Sequence, residues 1–380
     1  MSLWDELVGQ ESAIEAVRRA AEPGSEAMTH AWMIVGPAGS GRSTLAHAFA
    51  ATLVEDGDVD HTLRLVVAGS HPDVHVLATD RVSISIDEVR ELVTQSYYAP
   101  STARYRVIII EDADRMTERT SNVLLKALEE PPPRTVWILC APSVQDVLPT
   151  IQSRVRTITL RTPTVDQVAE LITRRHGVNA EIATQAAREA QCHIGMAMRL
   201  ATDEEARARR DHTVNTVLGL ETVSTAVKAA ADLIALATAD QKALLEKLDQ
   251  EEREETLRTL GVAPGAAVPA GLRGSVKALE ENQKRRGTRA LRDGIDRIFT
   301  DAESFFRDVM SLQLGTSAEL INPEFEAELI TRANSGTIGS TIEILDAITQ
   351  SRQRLAANVR DLLVLEALCT RFIARGDLAA

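Results

Sequence analysis

The sequence has 380 residues, of which 44% are hydrophobic and only 3% aromatic, and its formal net charge is −13 at pH 7. This length suits two or three domains, and we expect three. The acidic charge argues against a surface that wraps nucleic acid over most of its area, because phosphate binding needs clustered Lys and Arg. The sequence has no run of about 18 apolar residues and no signal-like amino terminus, so we expect a cytoplasmic protein without membrane contact.

Five short β-rich runs alternate with helical patterns between residues 30 and 160. This alternation predicts βαβ units around a parallel sheet. The third and fourth runs are apolar at consecutive positions, which is typical of central strands covered by helices on both faces. The predicted strands are 32–35, 73–77, 107–110, 136–139 and 157–160.

The strands stop after residue 160, and the pattern becomes helical. Short helices are predicted at 165–175, 180–191 and 195–201, with Thr164 capping the first of them. They indicate a small helical lid that follows the sheet.

The chain from about residue 208 onward is predicted to be almost entirely helical. A stretch rich in Pro, Gly and Ala at 261–271 has no periodicity and is predicted to be a loop or linker. Apolar residues at spacings of three, four and seven predict an amphipathic helix or helix pair at 341–375. The predicted domains are therefore 1–160, 161–207 and 208–380.

A glycine-rich segment follows the first predicted strand and precedes a predicted helix. This order is typical of a P-loop, whose backbone N–H groups converge on phosphate oxygens at a helix amino terminus. Arg42 stands where the pattern has a lysine, and the two side chains are not geometrically equivalent. We therefore expect ATP hydrolysis to be lost, and binding of ATP or ADP stays open. The candidate nucleotide-binding residues are Gly36, Gly39, Gly41, Arg42, Ser43 and Thr44.

The third predicted strand delivers two carboxylates, Glu111 and Asp112, in the setting of a Walker B motif, where such groups hold Mg²⁺ and polarise water. The usual order is Asp then Glu, and the inversion displaces each carboxylate enough to spoil an in-line attack by water. We interpret the pair as a remnant of a metal site. The alternative is a solvated acidic turn after a buried strand.

The segment Leu124-Leu125-Lys126-Ala127-Leu128-Glu129-Glu130-Pro131 closely resembles bacterial clamp-loader subunits of the AAA+ family. Further matches, among them Val8-Gly9-Gln10 and Ser70-His71-Pro72-Asp73, follow in the family's order through residues 8 to 160. The resemblance implies an α/β P-loop AAA+ domain with a parallel sheet, followed by a small helical lid and an all-α collar domain. It also adds Val8 to the candidate nucleotide-binding residues.

Ser153-Arg154-Val155 resembles the family's Ser-Arg-Cys motif, with Val155 in place of the cysteine. The resemblance implies that Arg154 is an arginine finger, which supplies positive charge to a γ-phosphate held by a neighbouring subunit. The alternative is a structural arginine that pairs with a carboxylate.

The altered P-loop, the inverted acidic pair and the retained Arg154 resemble the delta-prime class of the family rather than the gamma/tau motor class. The resemblance implies that the partners are gamma/tau and delta subunits and, through the complex, the sliding clamp and primed DNA. Many family members carry a four-cysteine zinc module, but residues 54–67 contain no cysteine, so we expect no zinc.

The three cysteines of the chain, Cys140, Cys192 and Cys369, are too widely spaced to suggest a zinc or disulfide framework, and we expect buried, unreactive thiols. Two other functions stay open for the whole chain. One is an independently active P-loop ATPase of the motor or helicase type. The other is an AAA+ remnant that serves as a scaffold outside replication.

Overall fold

The computed structural model describes residues 3–55, 57–79, 83–259, 269 and 273–373. The loop predicted at 261–271 therefore lies, apart from Pro269, outside the described residues. The chain divides into two compact units, Met1–Thr202 and Asp203–Ala380. In the part of the chain that the structure describes, no helix is both long and apolar enough to span a membrane.

The first unit contains a sheet of five strands: β1 (Ala31–Val35), β2 (Val74–Leu77), β3 (Arg106–Ile110), β4 (Thr135–Ala141) and β5 (Arg156–Thr159). Their order in the sheet is β2-β3-β4-β1-β5, and every neighbouring pair is parallel. All five strands predicted from the sequence are present, with ends shifted by one or two residues. As predicted, β3 and β4 have neighbours on both sides, and so does β1.

Helices cover both faces of this sheet, and the central strands are apolar at every position except the first of β3, Arg106, and the first of β4, Thr135. Trp32 and Ile34 of β1 pack in one core with α1 (Glu11–Ala21), α2 (Arg42–Val54) and α3 (Val59–Val67). The alternate strand positions, such as Met33 and Val35, pack in a second core. That second core contains residues of α4 (Ile86–Ser96), α5 (Glu118–Glu129) and α6 (Pro149–Gln152).

Three helices complete the first unit: α7 (Val165–His176), α8 (Ala180–Glu189) and α9 (Ile194–Thr202). The predicted cap is present, since Thr164 Oγ1 accepts from the Gln167 backbone N–H while the Gln167 side chain accepts from Thr164 N–H. This reciprocal arrangement satisfies two backbone donors at the start of α7. The boundary predicted at residue 160 stays a prediction, because the sheet and these helices belong to one compact unit.

All regular secondary structure among the described residues of the second unit is helical, which agrees with the expected fold class. Its two longest described helices, α11 (Val223–Thr259) and α12 (Arg273–Gln313), pack against each other, and an ideal Cβ at Gly294 would lie 3.4 Å from Ala237 Cβ. The predicted 341–375 segment is a helix pair over its described part, broken near Asn358, whose φ is 61°. The helices are α10 (Glu204–Leu218), α11 (Val223–Thr259), α12 (Arg273–Gln313), α13 (Glu326–Ser335), α14 (Ile338–Ala356) and α15 (Asp361–Phe372).

Candidate functional site

The glycine-rich loop connects the end of β1 to the start of α2. Gly39 and Gly41 have φ values of +75° and +95°, a backbone conformation that glycine adopts without strain. Gly36 N–H donates to Ala141 O at 3.3 Å, which ties the loop to the end of β4. The Ser40 side chain is buried, and its Oγ has no hydrogen-bond partner among the described residues. The loop therefore has the backbone form and the polar lining of a phosphate cradle at a helix amino terminus.

Arg42, the first residue of α2, turns back onto this loop. Its Nη1 donates to the Gly36 carbonyl oxygen at 2.6 Å. Its own carbonyl oxygen accepts a long contact of 3.9 Å from Cys140 Sγ on β4. The guanidinium is therefore bonded to the opposite end of the loop. Ser43 and Thr44 follow in the first turn of α2, half-buried, and their nucleotide-binding role stays a prediction.

The acidic pair lies directly after β3, beside α2. Glu111 Oε1 lies 3.2 Å from His47 Nε2 of α2, and an Asp112 carboxylate oxygen lies 3.6 Å from Arg115 Nε. Burial lowers the pKa of His47, and the negative charge of Glu111 opposes that shift. Both carboxylates that the sequence assigned to a remnant metal site thus have basic partners within the chain. Among the described residues, no group of three or more His, Cys, Asp or Glu is placed to hold a metal ion.

Val8 lies in the connection between the amino-terminal 3₁₀ helix, Leu3–Glu6, and α1. On one side of it, Leu7 packs so closely on Gly41 that a Cβ there would lie 2.7 Å from Leu7 Cδ2. On the other side, the Gln10 side chain donates to Arg161 O at 2.7 Å and accepts from Arg161 N–H at 3.1 Å. These contacts hold the Val8 segment between the phosphate loop and the chain that leads into α7.

Two histidines contact this region that sequence reasoning did not assign to it. His47 is the one titratable side chain of α2 after Arg42. Because a titratable residue is unusual in an otherwise apolar helix, the sequence could have indicated that His47 has a polar partner. His193, just before α9, covers Gly39, where an ideal Cβ would lie 2.3 Å from His193 Cγ. Ile194 N–H also donates to Gly39 O at 3.4 Å. No spacing in the sequence indicates the His193 contact, because only the fold brings α9 to the loop.

Arg154 lies in the turn between α6 and β5. Its Nη2 forms an ion pair with Glu129 Oε1 at 2.6 Å, and its Nη1 donates to Thr150 O at 2.6 Å and to Ser153 Oγ at 2.9 Å. The side chain keeps 34% of its surface exposed. Arg154 therefore pairs with a carboxylate, as the alternative interpretation of the sequence proposed, and its side chain is still accessible to solvent. Its assignment as an arginine finger stays a prediction.

Comparison with known proteins addresses the family of the first unit. Residues 9–164 match the model of a family described as DNA polymerase III, delta subunit. The chain is also 35% identical over 134 residues to the DNA polymerase III subunit delta′ of Pseudomonas aeruginosa. Over residues 9–164, the chain is therefore similar to subunits of DNA polymerase III.

A second type of DNA polymerase III subunit matches the chain at similar identity. The DNA polymerase III subunit gamma/tau of Mycobacterium tuberculosis is 32% identical over 157 residues, which are 39% of this chain and 27% of that protein. The delta′ match covers 33% of this chain and 41% of that protein. The chain thus spans less than half the length of these relatives, and the matches do not separate the two subunit types.

Solved structures include a DNA polymerase III gamma subunit-related protein from Thermotoga maritima. It aligns over 96% of this chain and 98% of its own, with 16% sequence identity and a TM-score of 0.44. A structural similarity with this TM-score does not help to assign the chain to a subunit type.

Proposed function

We propose that this chain is the delta-prime subunit of a bacterial DNA polymerase III clamp loader. In this role it assists ATP-dependent loading of the sliding clamp onto primed DNA without hydrolysing ATP itself. The observation that carries the proposal is a contrast between two sites. Arg154 is retained and solvent-accessible, whereas the basic and acidic residues of the chain's own phosphate site bond to one another and to the loop.

The proposed contribution of Arg154 acts in trans. An arginine that reaches the γ-phosphate of a neighbouring subunit neutralises charge that develops in the transition state, which is worth about 10³- to 10⁵-fold in related NTPases. Thr150 and Ser153 hold one guanidinium nitrogen, so the side chain is partly pre-positioned. The ion pair with Glu129 is exposed on both sides, and exposed pairs are worth only about 0–1 kcal/mol. A phosphate with several negative charges can therefore displace Glu129 at small cost.

The chain's own site lacks the residues that hydrolysis needs. Arg42 is bonded to Gly36 O, whereas a P-loop lysine reaches the β- and γ-phosphates. Glu111, which would polarise water or help to hold Mg²⁺, is paired with His47. We therefore expect no ATP hydrolysis at this site, leave the binding of ATP or ADP with Mg²⁺ there open, and expect the chain to need no zinc.

The proposed partners follow from the proposed class. The gamma/tau and delta subunits would assemble with the helical second unit acting as a collar, and contact with the clamp and primed DNA would be made by the complex. We place the protein in the cytoplasm, without a membrane partner.

The test is the DNA- and clamp-stimulated ATPase of a loader reconstituted from gamma/tau and delta subunits. The chain is supplied as wild type, as Arg154→Ala, or omitted. Wild type should stimulate hydrolysis, and Arg154→Ala should assemble with the partners but lose most of that stimulation. Equal stimulation by both forms would exclude the finger and leave only a scaffold role.

A matched control separates the finger from general charge. Arg119→Ala removes an exposed arginine from α5 and should leave stimulation unchanged. Arg154→Ala should keep its unfolding free energy within about 1 kcal/mol of wild type, because only an exposed pair is lost. Gel filtration of the mixtures reports assembly independently of turnover.

The gamma/tau match favours one alternative, an independently active P-loop ATPase of the motor type. In that case the purified chain would hydrolyse ATP by itself, and Arg42→Ala would abolish the turnover. Absence of turnover by the purified chain would exclude this alternative.

A further inference from the structure

Tyr97 and Tyr98 lie on the surface, directly after the last residue of α4. Their side chains are 53% and 56% exposed. The chain is poor in aromatic residues, and its other Trp, Tyr and Phe side chains, all of which lie in the described residues, are buried or half-buried. Single exposed apolar side chains are common in proteins, but two adjacent aromatic rings in water indicate a contact surface.

The two tyrosines are held between two hydrogen bonds to the sheet. Before them, the Ser96 carbonyl oxygen accepts from Thr135 Oγ1 at 2.9 Å. After them, the Ala99 carbonyl oxygen accepts from Arg106 Nη2 at 3.1 Å. The pair is therefore fixed at the edge of the sheet where β3 and β4 begin. A backbone ordered in this way loses little conformational entropy when a ligand binds.

Two arginines lie at the same edge. Arg104 is two residues before the start of β3, and Arg134 directly precedes β4. The Arg134 carbonyl oxygen accepts from Arg106 N–H at 2.8 Å, so the two strand starts are neighbours. Arg104 and Arg134 are both exposed, and neither forms an ion pair within the part of the chain that the structure describes.

These arginines make the edge a positive patch on an acidic protein. Residues 92–110 and 131–145, which contain β3 and β4, include three arginines and no Asp or Glu, although the whole chain has a formal charge of −13. The nearby Asp73 carboxylate is buried and pairs with Arg106 at 3.2 Å, so it offsets the charge of that arginine. The charges of Arg104 and Arg134 therefore face solvent.

Exposed aromatic rings beside exposed guanidiniums suit single-stranded nucleic acid. Unpaired bases stack on aromatic rings, and backbone phosphates pair with guanidiniums. A protein partner would be favoured by further large apolar side chains around the rings. The exposed residues that follow the tyrosines are instead small, namely Ala99, Ser101 and Thr102.

We propose that Tyr97, Tyr98, Arg104 and Arg134 form a platform that binds single-stranded nucleic acid. The tyrosine rings stack on bases, and the two arginines pair with phosphates. This goes beyond the proposed function, in which the assembled complex contacts DNA, because the platform belongs to the isolated chain. Its failure would therefore leave the trans role of Arg154 standing.

The test is the fluorescence anisotropy of a labelled oligothymidylate of about 15 nucleotides, titrated with the full chain. Tyr97→Ala and Tyr98→Ala should each weaken binding by about 5- to 150-fold, whereas Tyr98→Phe keeps the ring and should bind like wild type. Arg134→Gln should weaken binding and reduce the slope of log affinity against log salt by about 0.7. An oligouridylate of the same length should bind within about tenfold of the DNA, because stacking and phosphate pairing do not contact the sugar.

Two control variants remove comparable side chains elsewhere. Ile182→Ala removes a 40% exposed apolar side chain from α8, and Arg371→Gln removes an exposed arginine from α15. Both should bind the oligothymidylate like wild type. All the substituted side chains are exposed, so each variant should fold, which circular dichroism checks.

Three results would overturn the platform. The first is no saturable binding by wild type at about 50 mM salt, or equal binding by wild type and the two alanine variants. The second is equal affinity for a duplex of the same length, because paired bases cannot stack on the rings. The third is a loss of assembly with gamma/tau and delta in gel filtration of the alanine variants, without any change in oligonucleotide binding, since the rings would then contact a protein.

Discussion

His47 Nε2 lies 3.2 Å from Glu111 Oε1, which links the helix after the phosphate loop to the carboxyl end of β3. In an active P-loop enzyme, a carboxylate at this place serves the metal or the attacking water. In this chain the carboxylate instead stabilises a half-buried histidine. This pair adds a polar contact between α2 and the end of β3 to the apolar packing of the same two elements.

Glu111→Gln should lower the pKa of His47 further. Burial already lowers this pKa below the ordinary value of about 6.5, and the charge of Glu111 opposes the shift. As the pH falls below about 6.5, His47 of the unfolded chain is therefore protonated before His47 of the folded chain, and the free energy of unfolding decreases. In Glu111→Gln this decrease should be larger. NMR titration of the His47 ring measures the pKa directly.

The control for this prediction is Glu118→Gln, an exposed carboxylate at the start of α5. It should leave the His47 titration unchanged. A His47 pKa that rises or stays constant in Glu111→Gln would show that the two side chains do not interact in solution.

The sequence predicts the strands and the loop well because their signals are local. Consecutive apolar positions specify buried strands, and glycine at 39 and 41 specifies the backbone turn. The Glu129 pairing of Arg154 could be raised only as a general alternative, without naming the partner. The contact of His193 with Gly39 could not be predicted, because it depends on how α9 packs on a loop that is distant in sequence. The Arg154–Glu129 ion pair and the His193–Gly39 contact both depend on tertiary packing, which a local sequence pattern does not specify.

Asp73 holds the loop that precedes β3. Its buried carboxylate accepts from Ser101, Thr102 and Ala103 N–H groups at 2.6–2.9 Å and pairs with Arg106 at 3.2 Å. Burial would raise the pKa of Asp73, but these donors outweigh it and lower the pKa to about 2. Asp73→Asn should therefore destabilise the first unit by about 2–4 kcal/mol, since it leaves Arg106 buried without its charged partner.

The pH dependence of this effect has a definite sign. Because the folded-state pKa is lower than the ordinary value of about 3.9, the stabilisation by the carboxylate is fully present above about pH 4 and is lost as the pH falls toward 2. Urea unfolding followed by tryptophan fluorescence should show a wild-type advantage over Asp73→Asn that is about 1 kcal/mol smaller at pH 3 than at pH 7. Asp87→Asn, whose carboxylate is 90% exposed, should change stability by less than about 0.5 kcal/mol at either pH.

Arg210 has the corresponding role in the second unit. Its side chain is 3% exposed and pairs with Glu324 at 3.1 Å, and it donates to the Asn322 side chain. Asp308 accepts from Asn322 N–H at 2.8 Å, so the network joins α10 and α12 to the turn before α13. Arg210→Met should destabilise this unit by about 2–4 kcal/mol, because it removes the positive charge that pairs with the partly buried carboxylate of Glu324.

The distribution of chromophores makes that prediction specific to one unit. All three tryptophans and all three tyrosines lie in the first unit. Arg210→Met should therefore shift part of the urea transition seen by far-ultraviolet circular dichroism and leave the tryptophan fluorescence transition in place. A shift of both transitions by the same amount would mean that the two units unfold together and that the network is not local to one of them.

The three thiols should differ sharply in reactivity. Cys140 and Cys369 are buried, as expected from the sequence, but Cys192 is only half-buried. Burial raises the pKa of Cys369 to about 12 and also raises those of Cys140 and Cys192. Because the thiolate is the reactive form, a disulfide reagent at pH 8 should modify Cys192 first and the other two only when the chain unfolds. Cys192→Ser should remove the fast phase and leave two slow thiols, whereas a fast phase that persists in this variant would mean that one of the buried cysteines is exposed by local opening of the native structure.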